Sequence, residues 1–414
     1  MGLLTRGSAQ YSANCRRLSK FIKRSDVHTK NSTGKFVNDS FTPKKPAKSN
    51  PRALRSVRGP TVHAVVVAWG ERHALGVLCV GRLGPQPLAM SRNIVDAHFH
   101  FFDPPNNPFN KFLGSFGCPA YLPEQYAEHS AGLPISKTVH VEAMCDSAIG
   151  EALWVEGLAD AGRCNVAAIV AGVNLADEDA EAQLDEIKAK CPRLRGNRYI
   201  IDYVGPFEGG NNATHPNMVR HGGGGGVDYL RDPAVAPAFE KGFAALAVRG
   251  LSFDLQCAPE QLPAAAALCA KYPMVPVVID HMGKPRHLLA DGSAEDTAKI
   301  TEWRQGMKLM AALPQVCVKL SMLGYAVPGW HADAAKEALL KSLVLETIEL
   351  FGPARCMFAS NFHISAAGSD SDGKSDTGPE MPELYGKFES WVADRSEEDK
   401  VLLFAGAAEA FYKI

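Results

Sequence analysis

From residue 93 onward, strand-length apolar runs alternate with helix-length amphipathic runs, and the alternation repeats eight times. The runs that read as strands are 94–101, 138–143, 166–173, 198–204, 251–257, 275–281, 316–322 and 356–361. The runs that read as helices are 147–161, 179–190, 233–247, 259–271, 299–313 and 334–351, with a short piece at 123–129 in the first connection and a last helix over 397–412. Within 299–313, Ile300, Trp303, Met307 and Met310 form one apolar stripe at helical spacing. Ser396, with Asp399 three residues on, has the pattern of a helix N-cap. Strands joined through helices run parallel, because the crossover returns the chain to the same end of the sheet. Eight such units close into a (β/α)8 barrel. An open doubly wound sheet usually carries a glycine fingerprint after its first strand, and none is present here.

In a strand, successive side chains face opposite sides. Ser252, Asp254 and Gln256 therefore oppose Leu251, Phe253, Leu255 and Cys257, and Cys317, Lys319 and Ser321 oppose Val316, Val318 and Leu320. By the same rule Asp96, His98 and His100 share one face, opposite Ala97, Phe99 and Phe101. A strand under a helix layer is apolar outward, so inward polar residues gather at the strand ends that form the mouth of such a barrel. The strand ends supply His98 and His100, His140 and Glu142, Arg198 and Asp202, Asp254 and Gln256, His281, Lys319 and Ser321, and Asn361 and His363. Two imidazoles at i, i+2 can reach one metal ion or one polarised oxygen.

Charge divides the chain. Residues 1–90 hold sixteen Lys and Arg against three Asp and Glu, whereas the remainder holds twenty-eight against forty-two. The acidic body argues against nucleic acid as its partner. The basic leader, 1–90, reads as a transit peptide, as a solvated tail, or as sequence ahead of a start at Met90. The barrel then occupies 91–414, in the cytoplasm or, if the leader is a transit peptide, in an organelle. Ten cysteines without a CxxC pair suit a reduced compartment. No run approaches the ~20 apolar residues of a spanning helix, so no membrane partner is expected. Glycine-rich 208–226 and Ser/Asp/Gly-rich 365–379 follow strand ends, where lids or insertions belong.

Four segments carry a resemblance: 94–103 (IVDAHFHFFD), 277–285 (VVIDHMGKP), 318–321 (VKLS) and 357–361 (MFASN). In this order they resemble the strand motifs of the amidohydrolase-related (amidohydrolase 2) branch of the metal-dependent hydrolase superfamily. Within it they are most similar to the group of 2-pyrone-4,6-dicarboxylate lactonase and other sugar-lactone hydrolases. The resemblance covers about residues 93–414. It implies an α/β fold, a distorted TIM (β/α)8 barrel, and hydrolysis of a lactone or related cyclic ester of a small carboxylated or sugar-derived compound. The alternatives are a metal-dependent non-oxidative decarboxylase and a small-molecule-binding barrel that has lost turnover.

The resemblance implies roles for particular residues. His98 and His100 match the first-strand pair and His281 the sixth-strand histidine. Arg198 stands where an arginine grips a substrate carboxylate, the alternative being a salt bridge at the rim. Where the usual last-strand motif ends in Gly-Ser-Asp, this chain has Ala359-Ser360-Asn361. Asparagine cannot accept and carry away a proton at neutral pH. The usual metal-bridging lysine of the fourth strand is also not evident. The expected site therefore has His98, His100 and His281 polarising the ester carbonyl. Asn361 places water or substrate, and Arg198, Glu142, Asp254 and Gln256 bind substrate. The base is a neutral histidine, Glu142 or Asp254. Any cofactor would be one divalent ion, zinc or manganese, on His98, His100 and His281. The expected partner is a small-molecule substrate, with homo-oligomerisation left open.

Overall fold

A computed structural model describes residues 92–115, 117–203, 227–285, 287–362 and 378–414. Eight parallel strands lie in sequential order. They are β1 (Ile94–Phe99), β2 (Ile135–Val141), β3 (Val166–Ala171), β4 (Leu194–Arg198), β5 (Ser252–Leu255), β6 (Val277–Ile279), β7 (Val316–Leu320) and β8 (Cys356–Phe358). The ring closes between the ends of β8 and β1. There Asn361 N donates to His98 O at 2.7 Å and His100 N donates to Phe362 O at 2.8 Å.

Around the strands run α1 (Pro123–His129), α2 (Ala148–Asp160), α3 (Ala180–Lys190), α4 (Ala236–Arg249), α5 (Leu262–Lys271), α6 (Ala294–Ala311), α7 (Ala334–Phe351) and α8 (Met381–Trp391). Local chemistry sets their ends. Ser147, Ser293 and Asp333 accept first-turn N–H groups of α2, α6 and α7, and Gly250 ends α4 at φ 64°, a conformation glycine tolerates best. The cap expected at Ser396 is present, its Oγ accepting from Asp399 N at 3.1 Å.

Alternate strand residues feed two apolar layers. Ile94, Phe99, Ile169, Phe253, Leu255, Val277, Ile279, Val318 and Phe358 pack outward among Trp303, Leu343 and Phe388 of the helices. Val95, Ala97, Val139, Val141, Ala168, Val170, Val278 and Met357 pack inward with Ala408 and Tyr412 of the last helix. The chain end thus supplies part of the barrel's filling.

Several boundaries depart from the sequence reading. The fourth strand is Leu194–Arg198 and not 198–204. Its polar sequence hides it, yet Gly196 belongs there because an added Cβ would stand 2.3 Å from Ser252 Oγ on β5. The run 259–271 opens as a 3-10 turn, Pro259–Gln261, before α5 begins. The last helix is interrupted by a π-helical turn at Leu402–Gly406. Helix α8 was not foreseen. Residues 1–90, 208–226 and 365–377, with His363, lie outside the described residues. No helix among those described is long and apolar enough to cross a membrane, and the described cysteines are free thiols.

Candidate active site

The geometry of the mouth depends on an irregularity in β1. Val95 and Ala97 face the interior, so strict alternation would turn Asp96 and His98 outward. Asp96 does face outward. It accepts Ser360 N at 2.8 Å, Ser360 Oγ at 2.6 Å and the hydroxyl of Tyr126 on α1 at 2.8 Å. Burial pushes its carboxyl up, against the pull of the Ser360 hydrogen bonds. Between Asp96 and Phe99 the register with β2 shifts, and His98 turns inward. The expectation that Asp96 shares a face with His98 and His100 therefore fails at Asp96, because a bulge changes parity. His140, on β2, points away from the mouth. Its Nδ1 accepts Phe101 N at 3.2 Å and its ring stacks on Phe101.

The inward residues of β5, β6 and β7 build a buried ionic cluster. Lys319 Nζ lies 2.5 Å from Asp254 Oδ2, 3.2 Å from Asp280 Oδ1 and 3.2 Å from His98 Nδ1. Asp254 also accepts the Tyr412 hydroxyl at 2.7 Å. Burial raises the Asp254 carboxyl to about 6, Lys319 opposing. Burial pushes Asp280 the same way, but Lys319, His281 and Arg198 outweigh it and hold that carboxyl below its ordinary value. His98 is fully buried; desolvation, then Lys319, keep it neutral. Its Nε2 has no hydrogen-bond partner among the described residues.

The three expected histidines meet. The ring centroids of His98 and His281 are 4.8 Å apart, and those of His98 and His100 are 4.9 Å apart. His281 reaches the site through an unusual backbone. His281, Met282, Gly283 and Lys284 have φ of 56°, 56°, 69° and 54°, a left-handed turn that costs non-glycine residues roughly 1–2 kcal/mol each. Tertiary contacts hold it. Trp303 Nε1 donates to Met282 O at 2.6 Å, and Lys284 is buried against Asp202 and 4.8 Å above the Tyr325 ring. His281 Nδ1 contacts Ser321 Oγ at 2.9 Å, and burial lowers its pKa well below the usual imidazole range.

His100 is held differently. Its Nδ1 lies 2.8 Å from Val141 O, which can only accept, so Nδ1 carries the hydrogen. Asn361 Oδ1 stands 3.2 Å from Nε2; a neutral Nε2 can only accept, so the contact becomes a hydrogen bond when the amide is turned end for end and its N–H faces the ring. Burial, with Arg198 nearby, lowers His100 to about 3.

Arg198, Glu142 and Gln256 form a buried wall. Arg198 Nε donates to Glu142 Oε1 at 2.9 Å and Nη1 donates to Gln256 Oε1 at 3.1 Å. Nη2 contacts the same carboxylate at 2.8 Å and donates to Glu142 O. Arg198 is salt-bridged to Glu142. Sequence reasoning assigned no role to Asp280, Lys319 or Tyr412. Lys319 was marked by its inward register alone.

Ligand atoms of His98, Asp280 and His281 lie within 4.8 Å of one another, close enough to surround one ion. Asp280 thus replaces His100 in the expected triad, both ring nitrogens of His100 being engaged. Two neutral imidazoles and a carboxylate are zinc-type donors. The ammonium of Lys319 stands against two of the three, and with Lys319 there the group does not fit a divalent ion.

Comparisons with known proteins agree with this architecture. An L-fucono-1,5-lactonase of Burkholderia ambifaria is 28% identical over 255 residues, 60% of this chain and 71% of the relative. Two solved structures share the fold. An amidohydrolase from Burkholderia multivorans with bound zinc matches at a TM-score of 0.57 and 23% identity, over 78% of this chain and 99% of that one. A probable 2-pyrone-4,6-dicarboxylic acid hydrolase from Acinetobacter baumannii, with citric acid bound, matches at 0.54 and 13%, over 78% and 100%. The Amidohydrolase family model matches residues 95–414, and the chain is an enzyme of that family.

Proposed function

We propose that this protein hydrolyses a lactone or related cyclic ester of a small carboxylated or sugar-derived compound. The observation that carries the reading is the buried His98 Nε2, unpaired among the described residues, beside His281 and Asp280 at the barrel mouth. The lactonase relative supports the ester class.

Nδ1 of His98 lies 3.2 Å from the Lys319 ammonium, which can only donate, and 3.3 Å from Asp280 Oδ1, which can only accept; with Lys319 donating to Nδ1, the ring hydrogen is on Nε2. That N–H donates to the ester carbonyl and to the oxyanion formed from it. With His281 Nδ1–H donating to Ser321 Oγ across their 2.9 Å contact, the opposite ring nitrogen is the one that takes a proton from the attacking water. Asp280 stands beside the imidazolium so formed. The water oxygen bonds to the carbonyl carbon, the ring C–O bond breaks, and His281 returns its proton to the departing alkoxide. Glu142 is held by Arg198, and Asp254 by Lys319 and Tyr412, which favours His281 as the base.

The test is a screen of aldono-1,5-lactones and pyrone carboxylates with the wild type and His98→Gln. Turnover by the wild type with a loss of ~10²–10³ in kcat for a folded His98→Gln is the expected result. Absence of turnover on every lactone, or an undiminished His98→Gln, would reject the reading.

A further inference from the structure

We infer that Lys319 is a tethered cation occupying the place a divalent metal would otherwise take among Asp254, Asp280 and His98. The inference goes beyond the proposed reaction and stands whether or not a lactone is the substrate.

Lys319 rises from the inner face of β7 and is completely buried. Nζ donates to Asp254 Oδ2 at 2.5 Å, contacts His98 Nδ1 at 3.2 Å and pairs by charge with Asp280 Oδ1 at 3.2 Å, an oxygen with no hydrogen-bond partner among the described residues. The Tyr412 ring lies 5.5 Å from Nζ. The ammonium is thus satisfied as a buried charge must be, by carboxylates, a lone pair and an aromatic face.

This arrangement opposes a metal twice. The first reason is the position of one hydrogen. For His98 Nε2 to ligate, the ring proton would have to move to Nδ1, where it would face the ammonium at 3.2 Å, donor against donor, its one acceptor being Asp280 Oδ1 at 3.3 Å, an oxygen that Lys319 already holds. For Nδ1 to ligate, Lys319 would have to withdraw. The second reason is charge. Lys319 and Arg198 already stand against Asp254, Asp280 and Glu142. A divalent ion on His98, Asp280 and His281 would add two positive charges in contact with the same carboxylate that Lys319 holds. At such separations like charges repel strongly when screening is poor. His100 offers no relief, its ring nitrogens being taken by Val141 and Asn361.

The experiment titrates the full chain, dialysed against EDTA, with zinc and with manganese by calorimetry and chelator competition. It compares the wild type with Lys319→Met and with Lys319→Met/Asp254→Asn, the double variant balancing the charge should the single one fail to fold. Sub-stoichiometric metal in the purified wild type is expected, with zinc bound at least ~100-fold more tightly once the ammonium is gone. Adding His98→Gln should then abolish that gain. Two results would overturn the inference: equal zinc affinity with and without Lys319, or a wild type holding one equivalent of metal that His98→Gln releases. Metal binding is read without substrate. A failed lactone screen therefore rejects the hydrolase reading alone, and a failed titration rejects the tethered cation alone.

Discussion

The two halves of the barrel mouth are held by different forces. On the β5–β7 side, Asp254, Asp280 and Lys319 form a charged cluster sealed from water. On the β8–β1–β2 side, Asn361, His100 and Val141 are joined by neutral hydrogen bonds, and Asp96 behind them is satisfied by Ser360 and Tyr126. Asp96 and Asp254 are equally buried acids. One has only neutral donors and serves as a clasp between strands, while the other faces an ammonium inside the pocket. The face of the strand, and not the residue type, separates structure from function here.

The sharpest break of this contrast is Lys319→Met. Removing one partner of a buried pair leaves the other charge uncompensated, so the loss should be about 3–5 kcal/mol in denaturant unfolding. Ser360→Ala on the neutral side should cost no more than about 1–3 kcal/mol. Equal losses would show that the cluster is not held by charge.

Acidity separates the two carboxylates within the cluster. Asp254 is raised to about 6, above the ordinary ~3.9 of an unfolded chain. The folded state then binds the proton more tightly, so this stabilisation is complete below ~4 and fades as pH rises through about 6. Asp280 is lowered, so its contribution is present above ~4 and is lost as pH falls. The stability difference between the wild type and Asp254→Asn should shrink by up to about 3 kcal/mol from pH 4 to 6.5, and that for Asp280→Asn should change the other way. Unfolding curves at pH 4, 5 and 6.5 measure both. Parallel slopes would contradict the assignment.

Much of this site could be read from periodicity. Eight alternating units announced the barrel, and period 2 placed Asp254, Gln256, Lys319 and Ser321 on the inner face. What stayed hidden lies where the backbone leaves regular geometry. The shift in β1 separates Asp96 from His98, which no alternation rule foresees. After β6, Asp280 follows Val278 inward, and His281 should then point outward. The left-handed turn at φ 56° brings it back, so two adjacent residues serve one pocket. An alternating reading can select only one of them, and it selected His281. Tyr412 meets Asp254 across 158 positions of chain, beyond any local signal.

The mildest test concerns Asn361, the residue that departs from the usual aspartate. His100 commits its one hydrogen to Val141 O, so Nε2 needs a donor, and the amide 3.2 Å away supplies one when turned with its N–H toward the ring. Asn361→Asp replaces that donor with a carboxylate, and two acceptors then face each other unless His100 takes a second proton. In the wild type burial keeps His100 near 3, so it is neutral at every ordinary pH. The new carboxylate would raise that value. Relative to the wild type, whose unfolded chain titrates this imidazole alike, the variant gains stability as pH falls through its own folded His100 value and shows none of that gain well above it. The variant should therefore be about 1–2 kcal/mol less stable than the wild type at pH 8 and approach it at pH 5.5. Chemical unfolding at the two values decides the matter. A variant matching the wild type at pH 8 would mean that the amide donates nothing to His100, and that this side of the mouth does not depend on neutral donors as the opposite side depends on charge.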